Sequence, residues 1–355
     1  MSAKKAAKKP RSRAVTPTFS ATRLREDVDT YTEGIYALVA LVNHARWSDK
    51  DRDHRSHVKY GIGRRMLCGI AQDEAELELT PDCVIQLSDT LGVIGEAKPG
   101  VARTAAVWDQ NLQQLAKYNV DLRGWWTADG HVATHDIVAL VPMSRAVLFK
   151  DLVEAKLAAG QIAFNRPFAV VAFFKQSGAE STFITLKTEF GRVSDVELND
   201  RLRLSRPVNW VHLIRHYRDP KFMDAEPPLP YTLWVLWDLV FSQLASGKEP
   251  GRGVNWIGLD VEAASLTRHV QDFYGFRSEG AHSVEIPRLR WIRRALDALV
   301  TFGMAKRGSE TRYEVRYRRL RSKDMLMKFG ELCFRHRVAL ERREAPKPLL
   351  ALAER

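Results

Sequence analysis

The stretch that most constrains this chain runs from Pro81 to Gly100, PDCVIQLSDTLGVIGEAKPG. An acid, Asp82, leads an apolar run from Cys83 to Leu87. Ser88-Asp89-Thr90 makes a polar break, and a second apolar run, Leu91 to Ile94, ends in Glu96-Ala97-Lys98. Two Val- and Ile-rich runs split by a short turn predict a β-hairpin. Side chains alternate along a strand, so Glu96 and Lys98 share a face. Asp82, opening the partner strand on that face, would bring two carboxylates and an ammonium together. Neighbouring carboxylates repel unless a cation lies between them, and hard oxygen donors suit Mg²⁺ or Mn²⁺.

Around this hairpin the pattern alternates between helix and strand. Ile35, Leu38, Val39 and Val42 recur at helical spacing and predict a helix over Asp27 to Trp47, with Glu33 near its start. A second helix is expected over His57 to Ile70, and a short strand over Glu76 to Thr80. After Pro99-Gly100 a helix is expected from Ala102 to Asn119, with Gln110, Gln114 and Tyr118 at i, i+4 and i+8 on one face. Ile137 to Val141 reads as a strand, Ser144 to Ala159 as a helix, and Phe168 to Phe174 and Thr182 to Thr188 as strands. That order predicts an α/β fold, a mixed sheet with helices on its faces.

The length of 355 residues suits about two domains. Residues 1–20, rich in Lys, Arg, Ala and Pro, read as a disordered basic tail. A first domain is expected over residues 21–190, a proline-punctuated linker over 191–230, a second domain over 231–337 and a tail over 338–355. In the second domain, helices are expected from Tyr231 (ended by Gly247), over Asp260 to Tyr274 and from Pro287 (ended by Gly303). A basic hairpin through Lys306, Arg307 and Tyr313 to Tyr317 follows, then a helix over Lys323 to His336. Three helices and a hairpin make a winged-helix-like, mainly α layout.

Net charge is +12, which favours a polyanionic partner, nucleic acid first. Arg290, Arg293 and Arg294 largely avoid the core stripe of Leu289, Ile292, Leu296 and Leu299; with Arg288 they are the candidate DNA contacts, and Lys306, Arg307 and Arg312 would grip phosphates from the hairpin. Winged helices also bind proteins or dimerise, and that alternative stands beside the DNA reading. Three cysteines at no metal or redox spacing point to a reducing, cytoplasmic setting. No apolar run approaches the ~20 residues of a membrane span, and the start has no apolar signal segment. His54 and His57, His131 and His135, and His212 and His216 lack companions at metal-ligand spacing and read as ordinary polar or core histidines.

Asp82, Glu96-Ala97-Lys98 and Gln114-Leu115-Ala116-Lys117-Tyr118 together resemble the PD-(D/E)XK nuclease superfamily, and the Gln-x-x-x-Tyr element is similar to that of its RecB-like branch. The resemblance covers roughly residues 27–175. It implies a restriction endonuclease-like sheet and Mg²⁺- or Mn²⁺-dependent hydrolysis of DNA phosphodiesters, in bacterial restriction or defence or in DNA repair. It also implies roles for individual residues: Asp82, Glu96 and the Ala97 carbonyl as metal ligands, Lys98 as the group that holds or deprotonates the attacking water, and Gln114 and Tyr118 as contacts to the site or the DNA backbone. Many family members add an acid from the first helix, for which Glu33 is the candidate here; Gln110 is a further, weaker member of the Gln114 stripe. The four clustered cysteines of the iron–sulfur members are missing. A second tripeptide, Glu154-Ala155-Lys156, lies in a helical pattern with no acid-led strand before it and is expected on a solvated helix face. The substrate is DNA, double-stranded by expectation, with RNA as the competitor. Cutting both strands with one site per chain implies a homodimer; partner proteins of a multi-component system are a further expectation. The rival expectation is an inert nuclease fold that binds DNA or recruits a partner through its winged helix.

Overall fold

The computed structural model describes residues 18–48, 53–68, 77–99, 105–177, 182–209, 220–250, 255–274, 286–319 and 322–344. Most of the basic tail expected over residues 1–20 lies outside these. The chain enters the structure at Thr18–Ser20, where Phe19 packs 6.1 Å from the Phe334 ring and the Ser20 side chain caps helix α1 (Ala21–Arg46) by accepting from Arg23 N at 3.2 Å. Tyr31, Ile35, Leu38, Val39 and Val42 form its buried stripe. Each fully buried Leu or Ile here contributes about 1.5–3 kcal/mol before entropy is charged.

The molecule is α/β, built on one seven-stranded mixed sheet flanked by helices. After two short paired strands, β1 (Trp47–Ser48) and β2 (Asp53–His54), the sheet strands are β3 (Lys59–Ile62), β6 (Cys83–Gln86), β7 (Leu91–Ala97), β9 (Thr134–Pro142), β10 (Phe168–Ser177), β11 (Thr182–Gly191) and β12 (Pro207–Asn209). They lie in the order β12-β11-β10-β9-β7-β6-β3. β7, β9 and β10 run parallel, and every other neighbour pair is antiparallel. A small separate sheet joins β4 (Met66–Cys68), β5 (Leu77–Leu79) and β8 (Leu122–Arg123). The helix expected over His57 to Ile70 is therefore wrong for its described residues, which form β3 and β4. Gly61 and Gly63 weaken a helix there by about 1 kcal/mol each, and Gly63 takes φ +62°, outside helical space. Lys59–Ile62 instead pairs with Cys83–Gln86.

Alternation along the strands gives the sheet two apolar faces. Cys83, Ile85, Val93, Val138 and Val171 face α1, while Val84, Ile94, Ile137, Ala139 and Val170 face helices α2 (Ala105–Ala116) and α3 (Met143–Ala158). The α1 side continues without a polar break into the C-terminal region, through Phe222, Met223, Trp237, Leu296 and Phe329. Part of the segment expected as a linker is structural: α4 (Val196–Arg203) packs on β11, and β12 adds to the sheet's edge, where Pro207 tolerates its missing N–H.

The C-terminal region opens with α5 (Leu229–Trp234), which passes through a π-helical turn, Val235–Val240, into α6 (Phe241–Leu244). Then come β13 (Ile257–Glu262), α7 (Ala263–Tyr274), α8 (Leu289–Thr301), β14 (Ala305–Arg307), β15 (Arg312–Tyr317) and α9 (Ser322–Glu344). The three strands form an antiparallel sheet in the order β13-β15-β14. The helix expected from Asp260 starts at Ala263 instead, because Ile257, Leu259 and Val261 carry a period-two pattern that pairs with β15. α9 runs past the expected His336 to Glu344, so only residues 345–355 of the expected tail lie outside the described structure. Among the described residues, no helix is long and apolar enough to cross a membrane.

Candidate active site

The hairpin forms with the register that its alternation requires. Cys83 pairs with Gly95 and Val84 with Ile94. The Ser88 side chain closes the turn by accepting from Thr90 N at 3.2 Å and Leu91 N at 3.1 Å. Extending that register by one residue sets Asp82 opposite Glu96. The Asp82 N–H donates to Glu96 Oε1 at 3.3 Å, and the Ala97 N–H donates to Asp82 Oδ2 at 2.8 Å. Both carboxylates lie on the α2 side, where α2 ends in a 3₁₀ turn, Lys117–Asn119, and delivers Gln114 and Tyr118 one helical turn apart. Nearer the hairpin turn, Gly92 is needed: a Cβ there would meet the Trp125 ring at 2.2 Å.

Glu96 is the hub. Lys98 Nζ donates to Glu96 Oε2 at 2.7 Å and to Gln114 Oε1 at 2.8 Å. The Gln114 amide returns a bond to Glu96 Oε2 at 3.3 Å, and the Tyr118 hydroxyl donates to Glu96 Oε1. Glu96 is 1% exposed, Asp82 8% and Lys98 9%. Burial, and then the Glu96 carboxylate, push the Asp82 carboxyl well above the usual range; Lys98 and the Ala97 N–H oppose this. Burial, helped by Glu96, likewise holds the Tyr118 hydroxyl protonated and able to donate. Behind Tyr118, the buried His135 ring bonds the Tyr118 carbonyl through Nε2 at 2.8 Å, a structural role for that histidine.

The second Glu-Ala-Lys sits on α3 at the surface. Glu154 pairs with Lys150 at 3.7 Å, and Lys156 with Asp109 at 3.0 Å. Glu33 is half-buried on α1, and burial raises its carboxyl; the charges acting on it are Lys175 and Asp29. Gln110 is exposed on α2. Among the described residues, no group of three His, Cys, Asp or Glu side chains is gathered as for a metal ion. The donors that converge are the Asp82 and Glu96 carboxylates, with the Ala97 peptide between them, and their mutual repulsion is the kind a hard divalent cation relieves.

The arginines expected to contact DNA divide. Arg288 stands just before α8, its guanidinium over the Trp291 ring and paired with Asp224, and Arg294 pairs with Glu226. Arg290 is exposed and Arg293 half-buried. On the hairpin, Lys306 and Arg312 are exposed, while Arg307 lies 3.9 Å from Asp297 and over the Tyr313 ring.

No protein-family model matches the chain, and neither does any curated protein or solved structure. The site therefore stands on its geometry alone.

Two neighbours of the site escape sequence reasoning. Met223 N donates to the Tyr31 hydroxyl at 3.0 Å, which ties α1 to the segment carrying Asp224. A Cβ on Gly63 would lie 3.4 Å from Asp224 Oδ1, and Gly63 N donates to the Asp82 carbonyl at 3.0 Å. Asp224 is thus close enough to push the Asp82 carboxyl upward, and burial, with a smaller push from Glu96, raises Asp224 against the pull of Arg288. In the sequence Asp224 is one acid in a proline-rich stretch; only its place after the core residues Phe222 and Met223 hints at a fixed position.

Proposed function

We propose that the chain is a metal-dependent nuclease that hydrolyses DNA phosphodiesters, with a restriction endonuclease-like N-terminal part and a winged-helix-like C-terminal part. The observation that carries this reading is the Lys98 ammonium, buried and shared between Glu96 and Gln114 beside Asp82. A structural salt bridge needs none of the surrounding polar groups, whereas here a buried acid, a buried phenol and a half-buried amide surround one carboxylate. The helix–strand–helix–helix–hairpin order of residues 229–317, with its three-stranded sheet, supports the winged-helix assignment.

Asp82, Glu96 and the Ala97 carbonyl would hold Mg²⁺ or Mn²⁺, with water completing the shell. A bound ion supplies an acidified water and offsets charge on the phosphate. Lys98 would orient that water and stabilise the charge that builds on the phosphorane oxygens. Gln114 fixes the Lys98 head, and Tyr118 fixes the Glu96 carboxylate, so neither must reorganise as charge develops. The basic C-terminal surface, with Arg290, Lys306 and Arg312 exposed, would hold the nucleic acid near these groups. The test is cleavage of supercoiled plasmid, and of RNA side by side, with Mg²⁺ or Mn²⁺. DNA nicking that Glu96→Gln abolishes is the expected result. Intact plasmid under every metal condition would leave an inert DNA- or partner-binding protein as the better reading.

A further inference from the structure

A cleft of about 600 Å³ opens between β5 and the α7–α8 pair, lined among others by Arg65, Glu78, Thr80, Thr267, Arg268 and Arg288. We propose that this cleft receives the phosphate backbone of a nucleic-acid strand and leads it to Asp82, Glu96 and Lys98; this rests on the phosphodiesterase reading above. Three guanidiniums and the Thr80 side chain line it against a single carboxylate, the composition of an anion track. Guanidinium forks match phosphate oxygens in pairs. The one acid, Glu78, faces Arg65 at 3.7 Å, and both side chains are more than half exposed. So exposed a pair is weak and yields readily to a phosphate.

The cleft also has the right address. Thr80 stands two residues before Asp82. Arg288, on the opposite wall, pairs with Asp224, which lies against Gly63, the residue whose N–H holds the Asp82 carbonyl. The two walls come from opposite halves of the chain, so the track exists only where those halves meet. Its arginines differ from the contacts expected on α8 and the hairpin, except at Arg288. A strand lying here would compete with Asp224 for Arg288, which makes binding and the charge beside the catalytic carboxylates one event.

The experiment uses the full-length protein in metal-free buffer, with a fluorescein-labelled duplex and the matching single strand titrated over a salt series. Arg65→Ala and Arg268→Ala are each expected to weaken binding and to flatten the slope of log affinity against log salt, by about 0.9 on the duplex or about 0.7 on the single strand. Arg337→Ala, on the exposed face of α9, is expected to change neither. Thermal melting shows that the variants are folded. Wild-type affinity and slope in both cleft variants, with the wild type still cutting DNA, would overturn the cleft and spare the nuclease reading. A mononucleotide that binds as tightly as the oligonucleotides would overturn the backbone track. A wild-type protein that neither binds nor cuts nucleic acid overturns both.

Discussion

Lys98→Met against Lys156→Met is the sharpest perturbation, because the same tripeptide is tested in two settings. Lys98 Nζ lies 2.7 Å from Glu96 and 2.8 Å from Gln114, and the exposures of the ion pair are 9% and 1%. Removing one partner of a buried pair costs about 3–5 kcal/mol. Glu96 keeps Tyr118, Gln114 and the Asp82 N–H, so the low end, about 3 kcal/mol, is expected. Lys156 lies 3.0 Å from Asp109, with exposures of 21% and 41%, a pair worth about 0–1 kcal/mol. With an unfolding slope of about 3 kcal/mol per molar urea, Lys98→Met should lower the midpoint by roughly 1 M and Lys156→Met by a few tenths. The loss should also grow with pH. Lys98 holds the Asp82 carboxyl down, so its removal lets that group climb further. A carboxyl raised in the folded state stabilises below its ordinary pKa, and that contribution is lost as pH rises through the folded value. Urea melts at acidic and neutral pH measure both effects, and plasmid nicking with Mg²⁺ measures activity, expected to vanish only for Lys98→Met. Equal midpoint shifts, or equal loss of nicking, would refute the assignment.

Three further outcomes follow from the same geometry. Tyr118→Phe removes a hydrogen bond to a charged acceptor and should cost about 1.5–3 kcal/mol in urea unfolding, with nicking reduced rather than abolished. Asp224→Asn, which removes a carboxylate beside Asp82 and Glu96, should weaken Mn²⁺ binding read by electron paramagnetic resonance by about 10–100-fold; Glu226→Gln, paired with Arg294 at the exposed rim, should leave it unchanged. Burial holds the His135 pKa below the ordinary histidine value. The unfolded chain therefore takes up a proton first, and stability should fall as pH drops below about 6.5. That slope should shrink in His135→Gln, measured by unfolding free energy against pH.

What the sequence made legible was local. The hairpin register follows from two apolar runs and a turn that are neighbours in the chain, and Asp82 met Glu96 as that register requires. The Gln114–Tyr118 stripe follows from helical spacing, and both side chains reach Glu96. What stayed hidden was set by distant partners. Lys59–Ile62 has too little pattern to declare itself a strand until Cys83–Gln86 offers an edge. Ile257–Glu262 needs Arg312–Tyr317 for the same reason. Arg294 avoids the core stripe and Arg288 precedes it, as solvent- or DNA-facing residues would, yet Asp224 and Glu226, remote in sequence, pair with Arg288 and Arg294.

The two Glu-Ala-Lys tripeptides show why a motif's letters carry so little without its backbone. On a helix, positions i and i+2 lie about 200° apart, so Glu154 turns back to Lys150 while Lys156 reaches across to Asp109. On a strand the same two positions share a face, and Glu96 and Lys98 meet at 2.7 Å. The chemistry proposed for this chain therefore depends less on owning a Glu and a Lys than on the apolar run Leu91 to Ile94. That run forces the extended backbone, places Gly92 under Trp125, and delivers the carboxylate, buried, to the end of a strand against α2.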